Sequence, residues 1–404
     1  MPQEKISALR KGDCIPLIIE DVAFGGQGVG RYKDLVVFVP FTVDGDEGIV
    51  EVAEVKKNFI RGTMSSLTKS SPYRSTPLCR AYGICGGCQY QHISYDHQLT
   101  LKGKQVRDAF TRIGKMRDAP LMNAVASPHP WHYRGKAEVH VYKDKNQKAV
   151  VGFTRAASHD IEDIEDCEIV DSSINEAMKR LRLKVRAGRE KKIDRREILW
   201  SGEAQEEGLR DPVSRKIKGQ ELLIPRHGFY QANQYLAESL LNAVLDLCAL
   251  TGAETVIDAY CGSGFFSAFL APQTRMFYGI EFAADAVSAA HGNLKAAGVD
   301  QALFYEGDVG EVLMKVFVKA RQRVDCLVLD PPRIGLGSEV LSAITKLKPF
   351  RIVYVSCNPS TMARDCRFLA DHGYVLKALQ PFDMFPQTSH IEVVGLLEQG
   401  DHAS

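Results

Sequence analysis

Residues 255–270 read TVIDAYCGSGFFSAFL, and they carry the clearest indication of the chain's architecture. Val256 and Ile257, between Thr255 and Asp258, predict a buried strand, and the last residues predict a helix that ends near Leu270. Gly262 and Gly264 stand between the two segments. A strand that passes through a glycine turn directly into a helix is half of a βα unit, and its turn lets a ligand approach the backbone and the free helical N–H groups.

The same alternation of strands and helices runs from residue 227 to the end of the chain. Such alternation predicts an α/β fold with a mostly parallel, doubly wound sheet. Ligands of these sheets bind at the carboxyl ends of the strands. The predicted strands are 255–258, 277–281, 302–305, 324–329, 352–355, 374–379 and 391–397, and the predicted helices are 235–250, 264–270, 283–297, 337–347 and 361–372.

The glycine turn and the strands after it indicate a nucleoside cofactor. Glu281 ends the second strand, where a carboxylate suits a ribose diol, and this spacing is compatible with both NAD and S-adenosylmethionine. The form D-x-x-x-G-x-G looks like the cofactor loop of Rossmann-type methyltransferases, because it lacks the G-x-G-x-x-G fingerprint. S-adenosylmethionine is therefore favoured, with Gly262 at the ligand. Asp308 follows the next strand and is either an adenine contact or a helix cap.

Two more strand ends deliver reactive groups to the same edge. Asp330-Pro331-Pro332-Arg333 follows the strand at 324–329. It is related to the turn of amino-methylating enzymes, although Arg333 stands where they have an aromatic residue, and a rigid X-Pro turn with a capping Asp is the alternative. Cys357 follows the strand at 352–355, within Val-Ser-Cys-Asn-Pro. A cysteine past the end of a strand indicates a nucleophile more than a core residue.

A thiolate at this edge suits the chemistry of uracil. Carbon 5 of uracil is a poor nucleophile, but a thiolate that adds to carbon 6 makes an enolate that attacks a methylsulfonium through carbon 5. A base must then remove the carbon-5 proton so that the thiol can leave. Glu392, in Ser-His-Ile-Glu-Val at 389–393, is the candidate base. Its spacing alone favours an ordinary edge-strand glutamate.

Three cysteines in ten residues, Cys79, Cys85 and Cys88, predict a metal site. A four-coordinate zinc ion or an iron–sulfur cluster needs a fourth ligand. The candidates are Cys14, which lies inside a predicted strand, and Cys167 in an acidic loop, which we favour. Spacing leaves zinc and iron–sulfur open.

Composition and charge point to a nucleic-acid partner. The chain has 404 residues, 45% of them hydrophobic, with no apolar run long enough for a membrane span, so we expect a cytoplasmic protein of two or three domains. Net charge is +1, but residues 56–117 carry 12 Lys and Arg against 2 Asp and Glu, and residues 179–226 carry 15 against 8. Two basic blocks predict a polyanion surface more than a solvated helix face.

The N-terminal part predicts a small barrel and a helix. Strands are expected at 14–21, 35–40 and 49–55, with the glycine-rich residues 25–30 as a turn between the first two. A helix is expected at 94–114, with an apolar face that includes Leu99, Val106, Phe110 and Ile113.

Together these motifs resemble the RNA uracil-5 methyltransferases, and most closely the iron–sulfur type that makes 5-methyluridine in bacterial 23S ribosomal RNA. The resemblance implies that the barrel is a TRAM domain and that Phe229-Tyr230-Gln231-Ala232-Asn233 is the family's F-x-Q-x-N motif. It also implies Cys357 as nucleophile, Glu392 as base and Arg333 at the uracil. The implied ligands of a [4Fe–4S] cluster are Cys79, Cys85, Cys88 and Cys167. The implied cofactor contacts are Gln231, Tyr260, Gly262, Glu281 and Asp330, with Asp308 as a weaker one.

The same resemblance implies a domain organisation and a partner. Residues 1–66 form the RNA-binding barrel, residues 67–91 and 125–226 a central iron–sulfur and RNA-binding domain, and residues 92–124 and 227–404 the Rossmann-like catalytic domain. Ribosomal RNA is the expected substrate and transfer RNA the alternative. Two other classes stay open: an amino-group methyltransferase that acts at the Asp330 turn, and a non-enzymatic iron–sulfur RNA-binding protein. The intact glycine turn argues against the last one.

Overall fold

The computed structural model describes residues 9–146, 148–189, 194–202 and 211–400. The first eight residues of the predicted barrel domain, parts of the second basic block and the last four residues of the catalytic domain lie outside these ranges. None of the helices within the described ranges has the length and the apolar character that crossing a membrane requires.

The N-terminal segment is a closed five-stranded barrel, which confirms the predicted barrel. Alternate residues of each strand point inward, and Ile15, Val37 and Val50 are among those that fill the interior. The order around the barrel is β1-β2-β3-β5-β4. Its strands are β1 (Cys14–Val22), β2 (Gln27–Tyr32), β3 (Leu35–Pro40), β4 (Glu47–Val55) and β5 (Phe59–Lys69).

The prediction of a turn at residues 25–30 is only partly right. Gly25 and Gly26 have φ of +102° and +91° and form the turn, but Gly28 and Gly30 lie inside β2. A Cβ on Gly28 would stand 2.0 Å from Oγ1 of Thr42, and one on Gly30 would stand 2.3 Å from the carbonyl oxygen of Ile18. These two glycines therefore serve close packing inside the barrel rather than a turn conformation.

The central part of the chain is an antiparallel sheet covered by one helix. Its strand order is β8-β7-β6-β9. The helix packs Ile174 and Met178 against Val139 and Val151 of the sheet. A separate hairpin follows. The elements are β6 (Lys136–Lys143), β7 (Ala149–Thr154), β8 (Ile161–Asp163), α2 (Ser172–Arg186), β9 (Arg195–Trp200), and the hairpin strands β10 (Val213–Ile217) and β11 (Gln220–Ile224), with α1 (Tyr95–Arg112) preceding them in the chain.

The C-terminal half is the predicted doubly wound α/β fold. A seven-stranded sheet has the order β14-β13-β12-β15-β16-β18-β17, and only the pairings of β18 are antiparallel. Strand order reverses at β12, so the carboxyl ends of β12 and β15 frame a cleft. The elements are α3 (Ala237–Cys248), β12 (Thr255–Ala259), α4 (Ser267–Leu270), β13 (Met276–Glu281), α5 (Ala284–Ala296), β14 (Ala302–Glu306), α6 (Val309–Val312), β15 (Cys326–Leu329), α7 (Ser338–Leu347), β16 (Arg351–Ser356), α8 (Pro359–Ala370), β17 (Tyr374–Phe382) and β18 (Glu392–Gln399).

Helices cover both faces of this sheet. One face packs against α3, α4 and α5, and the other against α1, α6, α7 and α8. The sequence pattern did not predict α6, which continues as a π-helical turn over Leu313–Val318. That segment buries Leu313 and Phe317 against the sheet.

Helix α1 packs on the C-terminal unit, although it precedes the central sheet in the chain. Val106 and Phe110 are buried in the same core as α8. Two of the predicted core residues are not part of that face: Ile113 is 44% exposed, and Leu99 is half-buried. Polar residues occupy the rest of the face. The buried polar side chains of α1 are Gln98, Lys102 and Gln105.

Candidate active site

The turn after β12 is held against the next strand by its backbone. The N–H groups of Tyr260 and Cys261 donate to the carbonyl oxygen of Ile280 at 2.9 and 3.1 Å. Tyr260 has φ of +66°, a conformation that costs free energy for a residue with a Cβ and marks a turn whose shape is imposed by its surroundings. Gly264 packs directly on α5, since a Cβ there would stand 3.2 Å from Ala290.

The carboxylate of Glu281 ties the ends of β12 and β13 together. One oxygen accepts from the N–H of Gly262 at 3.0 Å, and the other accepts from the N–H groups of Phe282 and Ala283 at 2.8 and 2.9 Å. The side chain is half-buried at the carboxyl edge of the sheet. Its two oxygens retain lone pairs that can accept from the hydroxyl groups of a ribose.

Four of the predicted cofactor residues line one small cavity at this edge. Gln231, Tyr260, Gly262 and Asp330 surround a space of about 30 Å³. Gln231 is buried. The remaining wall is mostly apolar and aromatic. It is made of Leu222, Ile224, Phe229, Tyr230, Cys261, Ser263, Phe265 and Phe266.

Two buried acidic side chains in this region have pKa values near neutral pH. Burial raises the pKa of Asp258 to about 7, despite a 2.6 Å hydrogen bond from the Ser267 hydroxyl to Oδ2. Burial, and next the charge of Asp258, also raise the pKa of Asp330 to about 7. A cationic ligand beside these groups would favour their ionised forms, and a methylsulfonium is such a cation.

Asp308 occupies a different place from the other predicted cofactor residues. Its Oδ1 accepts from the N–H of Glu311 at 3.1 Å and caps α6. It is not among the residues that line the cavity beside Gln231. The structure therefore shows the helix-cap alternative for this side chain.

Cys357 stands just past the end of β16, at the start of α8. Asn358 caps α8 by accepting from the N–H of Ser360 at 3.0 Å, and Pro359 occupies the first helical turn. The side-chain amide of Asn358 donates to the carbonyl oxygen of Arg333 at 3.1 Å. This bond joins the Cys357 turn to the Asp330–Arg333 turn, so that the two motifs form one rim.

Strand pairing brings Glu392 to the same rim. The antiparallel register of β16 with β18 pairs Ser356 with Val393, so the next step places Cys357 opposite Glu392. The Glu392 side chain is only 6% exposed. It has no hydrogen-bond partner among the residues that the structure describes.

The charges at this rim act on one another. Burial, and next the charge of Glu392, raise the pKa of the Cys357 thiol to about 11, while the Arg333 guanidinium opposes this shift. Burial, and next the charge of Asp330, raise the pKa of Glu392 well above its usual range, and Arg333 again opposes. The Cys357 thiol and the Glu392 carboxyl group are neighbouring acids that do not readily ionise together, and the Arg333 cation lies beside them. Such a pair can exchange protons with a substrate at a small cost in free energy.

His390 is a member of this rim that sequence reasoning missed. Its ring nitrogen Nε2 lies 3.3 Å from Nη2 of the exposed Arg333 side chain. Burial, and next the Arg333 charge, lower the pKa of His390 to about 4, so a neutral ring faces the guanidinium. The signal in the sequence was its place two residues before Glu392.

The four predicted metal-ligand cysteines line a second cavity, in the central part of the chain. Cys79, Cys85, Cys88 and Cys167 surround a space of about 140 Å³. Burial raises the pKa of all four thiols, to about 12 for Cys88 and about 11 for Cys167. Cys14 lies exposed in the barrel, away from this cavity.

The four thiols can be assessed as ligands of a metal ion or of a metal cluster. In the described ranges, no set of three or more His, Cys, Asp or Glu side chains is arranged to hold a metal ion. Zinc binds thiolates at about 2.3 Å, and iron–sulfur clusters are also held by thiolates. A donor set of four thiols around one cavity is compatible with either group.

Comparison with known proteins places the chain first in a class and then in a family. Residues 9–64 match the model of the TRAM domain, and residues 214–400 match the model described as tRNA (Uracil-5-)-methyltransferase. An uncharacterized RNA methyltransferase of Halalkalibacterium halodurans is 33% identical over 96% of this chain and 98% of the relative. Another, from Listeria monocytogenes, is 34% identical over 97% of this chain and 99% of the relative.

A solved structure extends the match to three dimensions. The tRNA (uracil-54, C5)-methyltransferase of Pyrococcus abyssi, in complex with S-adenosyl-L-homocysteine, is 27% identical with a TM-score of 0.74. The match covers 95% of this chain and all of that one. The fold and the site thus define an RNA methyltransferase that uses S-adenosylmethionine. Within that class, the chain belongs to the RNA uracil-5 methyltransferase family.

Proposed function

We propose that this enzyme methylates carbon 5 of a uracil in 23S ribosomal RNA, with Cys357 as nucleophile and Glu392 as base. The observation that carries the proposal is the strand register that sets these two side chains opposite each other. A thiol and a buried carboxylate at one strand end are what carbon-5 methylation requires, because the nucleophile and the base act on adjacent ring carbons.

The reaction begins at Cys357. Its thiol gives up a proton to water, and the sulfur adds to carbon 6 of the uracil, so that the carbon 5–carbon 6 electron pair moves into an enolate. Carbon 5 of that enolate attacks the methyl group of the sulfonium, and the departing sulfur of the cofactor keeps the bonding pair. Arg333 is the cation that favours the thiolate, since its charge acts against the raised pKa of Cys357.

The second half of the reaction belongs to Glu392. Its carboxylate takes the proton from carbon 5, the C–H electron pair restores the double bond, and the carbon 6–sulfur pair returns to Cys357. Burial of Glu392 makes its carboxylate a stronger base than one in water, because the charged form is poorly solvated. Asp330 and Arg333, on the neighbouring turn, orient the uracil.

The cofactor would lie along the carboxyl edge of β12 and β13. Gln231, Tyr260, Gly262 and Asp330 would contact it from the walls of their shared cavity, and this grouping supports the assignment. Glu281 would accept from the ribose hydroxyl groups. Asp308 carries less of this proposal, because its carboxylate caps α6.

RNA would approach this rim with the target base out of its stack. A single-stranded loop makes that step cheaper, since fewer stacking contacts are lost. The barrel and the two basic blocks supply the remaining contacts with the backbone, and we expect binding to weaken steeply with salt.

We also propose that Cys79, Cys85, Cys88 and Cys167 hold a [4Fe–4S] cluster. Four thiols that line one cavity support this assignment. Thiolates from the loop of residues 79–88 and from the turn at Cys167 would hold such a cluster and would thereby tie these two segments together. Since burial keeps these thiols protonated, cluster binding must release protons and should be favoured by higher pH.

A second candidate substrate is transfer RNA. The observation that favours it is the likeness to the tRNA (uracil-54, C5)-methyltransferase of Pyrococcus abyssi over nearly the whole chain. The deciding experiment maps 5-methyluridine in both RNAs from cells that lack this protein, with Cys357→Ala and wild-type genes returned in parallel. Loss and return of a single 23S site supports the first candidate, a transfer RNA site supports the second, and full rescue by Cys357→Ala rejects the mechanism.

A further inference from the structure

The segment between β17 and β18 carries His390 and leads directly into Glu392. We name residues 383–391 the base loop. It is almost entirely buried, and Gln387, near its centre, has φ of +67° although it is not glycine. Such backbone conformations cost about 1–3 kcal/mol and persist only where the surroundings impose them. Gln387 and its surroundings therefore fix the path by which the chain enters β18, whose first residue is Glu392.

Gln387 is anchored by two segments from the N-terminal half of the chain. Its carbonyl oxygen accepts from the N–H groups of Gln89 and Tyr90 at 3.1 and 2.9 Å. The side chain of Gln98 on α1 then bonds it twice: Oε1 accepts from the Gln387 N–H, and Nε2 donates to the Gln387 side chain, both at 3.0 Å. These hydrogen bonds are buried or nearly buried, and none of them involves a strand of the sheet that holds Cys357.

Gln89 connects this anchor to the cysteine cavity. It follows Cys88 directly, and its Nε2 donates to the carbonyl oxygen of Gly86 at 2.9 Å. Its Oε1 accepts from the N–H of Ser389, at 3.1 Å, on the base loop. The side-chain amide of Gln89 therefore links two segments. Its nitrogen bonds the loop of residues 79–88, which we name the cysteine loop, and its oxygen bonds Ser389 of the base loop, three residues before Glu392.

We propose that Gln89 is a positioning residue for the catalytic base, through which the order of the cysteine loop sets the place of Glu392. This inference rests on the proposed roles of Cys357 and Glu392. Gln89 makes no contact with the Cys357 turn that the structure records. Its effect should therefore fall on the removal of the carbon-5 proton, and much less on the addition of the thiolate or on methyl transfer.

The test compares Gln89→Met, which loses the side-chain hydrogen bonds to Gly86 and Ser389, with Gln89→Glu, which keeps an acceptor for Ser389. Gln273→Met is the matched control, because Gln273 is exposed and bonds only its own helical segment. RNA labelled with tritium at carbon 5 of uridine reports proton removal, and a denaturing gel reports the covalent RNA–protein intermediate. Iron and sulfide content, and hydrogen exchange of the base loop in the free protein, are measured for each variant.

We expect Gln89→Met to release tritium about 10- to 100-fold more slowly than wild type, the scale of a misplaced catalytic group. The covalent intermediate should accumulate and the base loop should exchange faster. Gln89→Glu keeps the acceptor for Ser389 but loses the donor to Gly86, so it should recover only part of the rate. Gln98→Met, which loosens the same loop without touching the cysteine loop, should reproduce the accumulation with unchanged iron content.

Three results would overturn the proposal. The first is release of tritium by Gln89→Met at the wild-type rate. The second is an equal fall in adduct formation and tritium release. The third is a loss of activity only in proportion to lost iron, while Gln98→Met behaves as wild type. A failure of the proposed function looks different: wild type then releases no more tritium than Cys357→Ala.

Discussion

The pH dependence of the reactivity of the Cys357 thiol follows from its burial and from the charges around it. Burial and the neighbouring Glu392 raise the pKa of this thiol to about 11. At pH 8 about one molecule in a thousand then carries the thiolate, against roughly a quarter for a cysteine of ordinary pKa, about 8.5. Because only the thiolate reacts, Cys357 should be alkylated roughly 200-fold more slowly at pH 8 than a free cysteine, before any effect of access.

The two charged neighbours should move this profile in opposite directions. Glu392→Gln removes a negative charge that raises the pKa, so the rise in reactivity should begin at lower pH. Arg333→Met removes the cation that lowers the pKa, so the rise should begin at higher pH. A change in reagent access alone would affect the alkylation profiles of both variants in the same way. Opposite shifts along the pH axis therefore distinguish an effect of charge from an effect of access.

Mass spectrometry of the peptide that contains Cys357, after short exposure to iodoacetamide between pH 6 and about 11, measures the profile. Exposed Cys14 in the same sample serves as the internal reference for the reagent. A wild-type midpoint near that of ordinary cysteine, about 8.5, would refute the charge arrangement described here. So would a profile that Glu392→Gln leaves in place.

Three further predictions concern stability and the cysteine site. Lys102→Met should lower the free energy of unfolding by about 3–5 kcal/mol in chemical denaturation, because it leaves the buried Asp383 carboxylate, 2.5 Å from Lys102 Nζ, without its cation. The double variant with Asp383→Leu should recover part of the loss. Gly28→Ala should lower the melting temperature, because its Cβ would stand 2.0 Å from Thr42 Oγ1, and Thr42→Ala should partly rescue it; an unchanged melting temperature contradicts the barrel packing. Cys167→Ser should lower bound iron and sulfide in the anaerobically purified protein, whereas full retention of both argues against this ligand.

The catalytic sheet was predictable because its strands are buried on both faces. Parallel strands of that kind appear as continuous apolar runs between helices, and the pattern located β12, β13 and β16 to within one or two residues. The reactive groups at their carboxyl ends then had to share one edge. This is why the sequence alone could place Tyr260, Asp330 and Cys357 together.

The position of Glu392 depended on information that local pattern does not hold. β18 inserts antiparallel between β16 and β17, and only that pairing sets Glu392 opposite Cys357. Long-range strand pairing leaves no periodic signal in either strand. The spacing of Glu392 therefore favoured an ordinary edge residue, and the family resemblance alone raised it to a candidate base.

Helix α1 was mispredicted in detail for a related reason. Amphipathic periodicity assigns polar residues to the solvent face, yet Gln98 and Lys102 are buried against the base loop. Buried polar side chains are stable only with partners, and their partners lie almost 300 positions later in the chain. The sequence could predict the helix but not the loop that it anchors.

The central claim is that Cys357 forms a covalent bond to a uracil that Glu392 must later release. RNA in which 5-fluorouridine replaces uridine tests it most directly, since carbon 5 then has no proton for Glu392 to remove. Incubated with S-adenosylmethionine and this RNA, the wild-type enzyme should form a methylated adduct that survives denaturation, with the RNA fragment mapped by mass spectrometry to Cys357. An adduct formed equally by Cys357→Ala, or attached at another cysteine, would contradict the account.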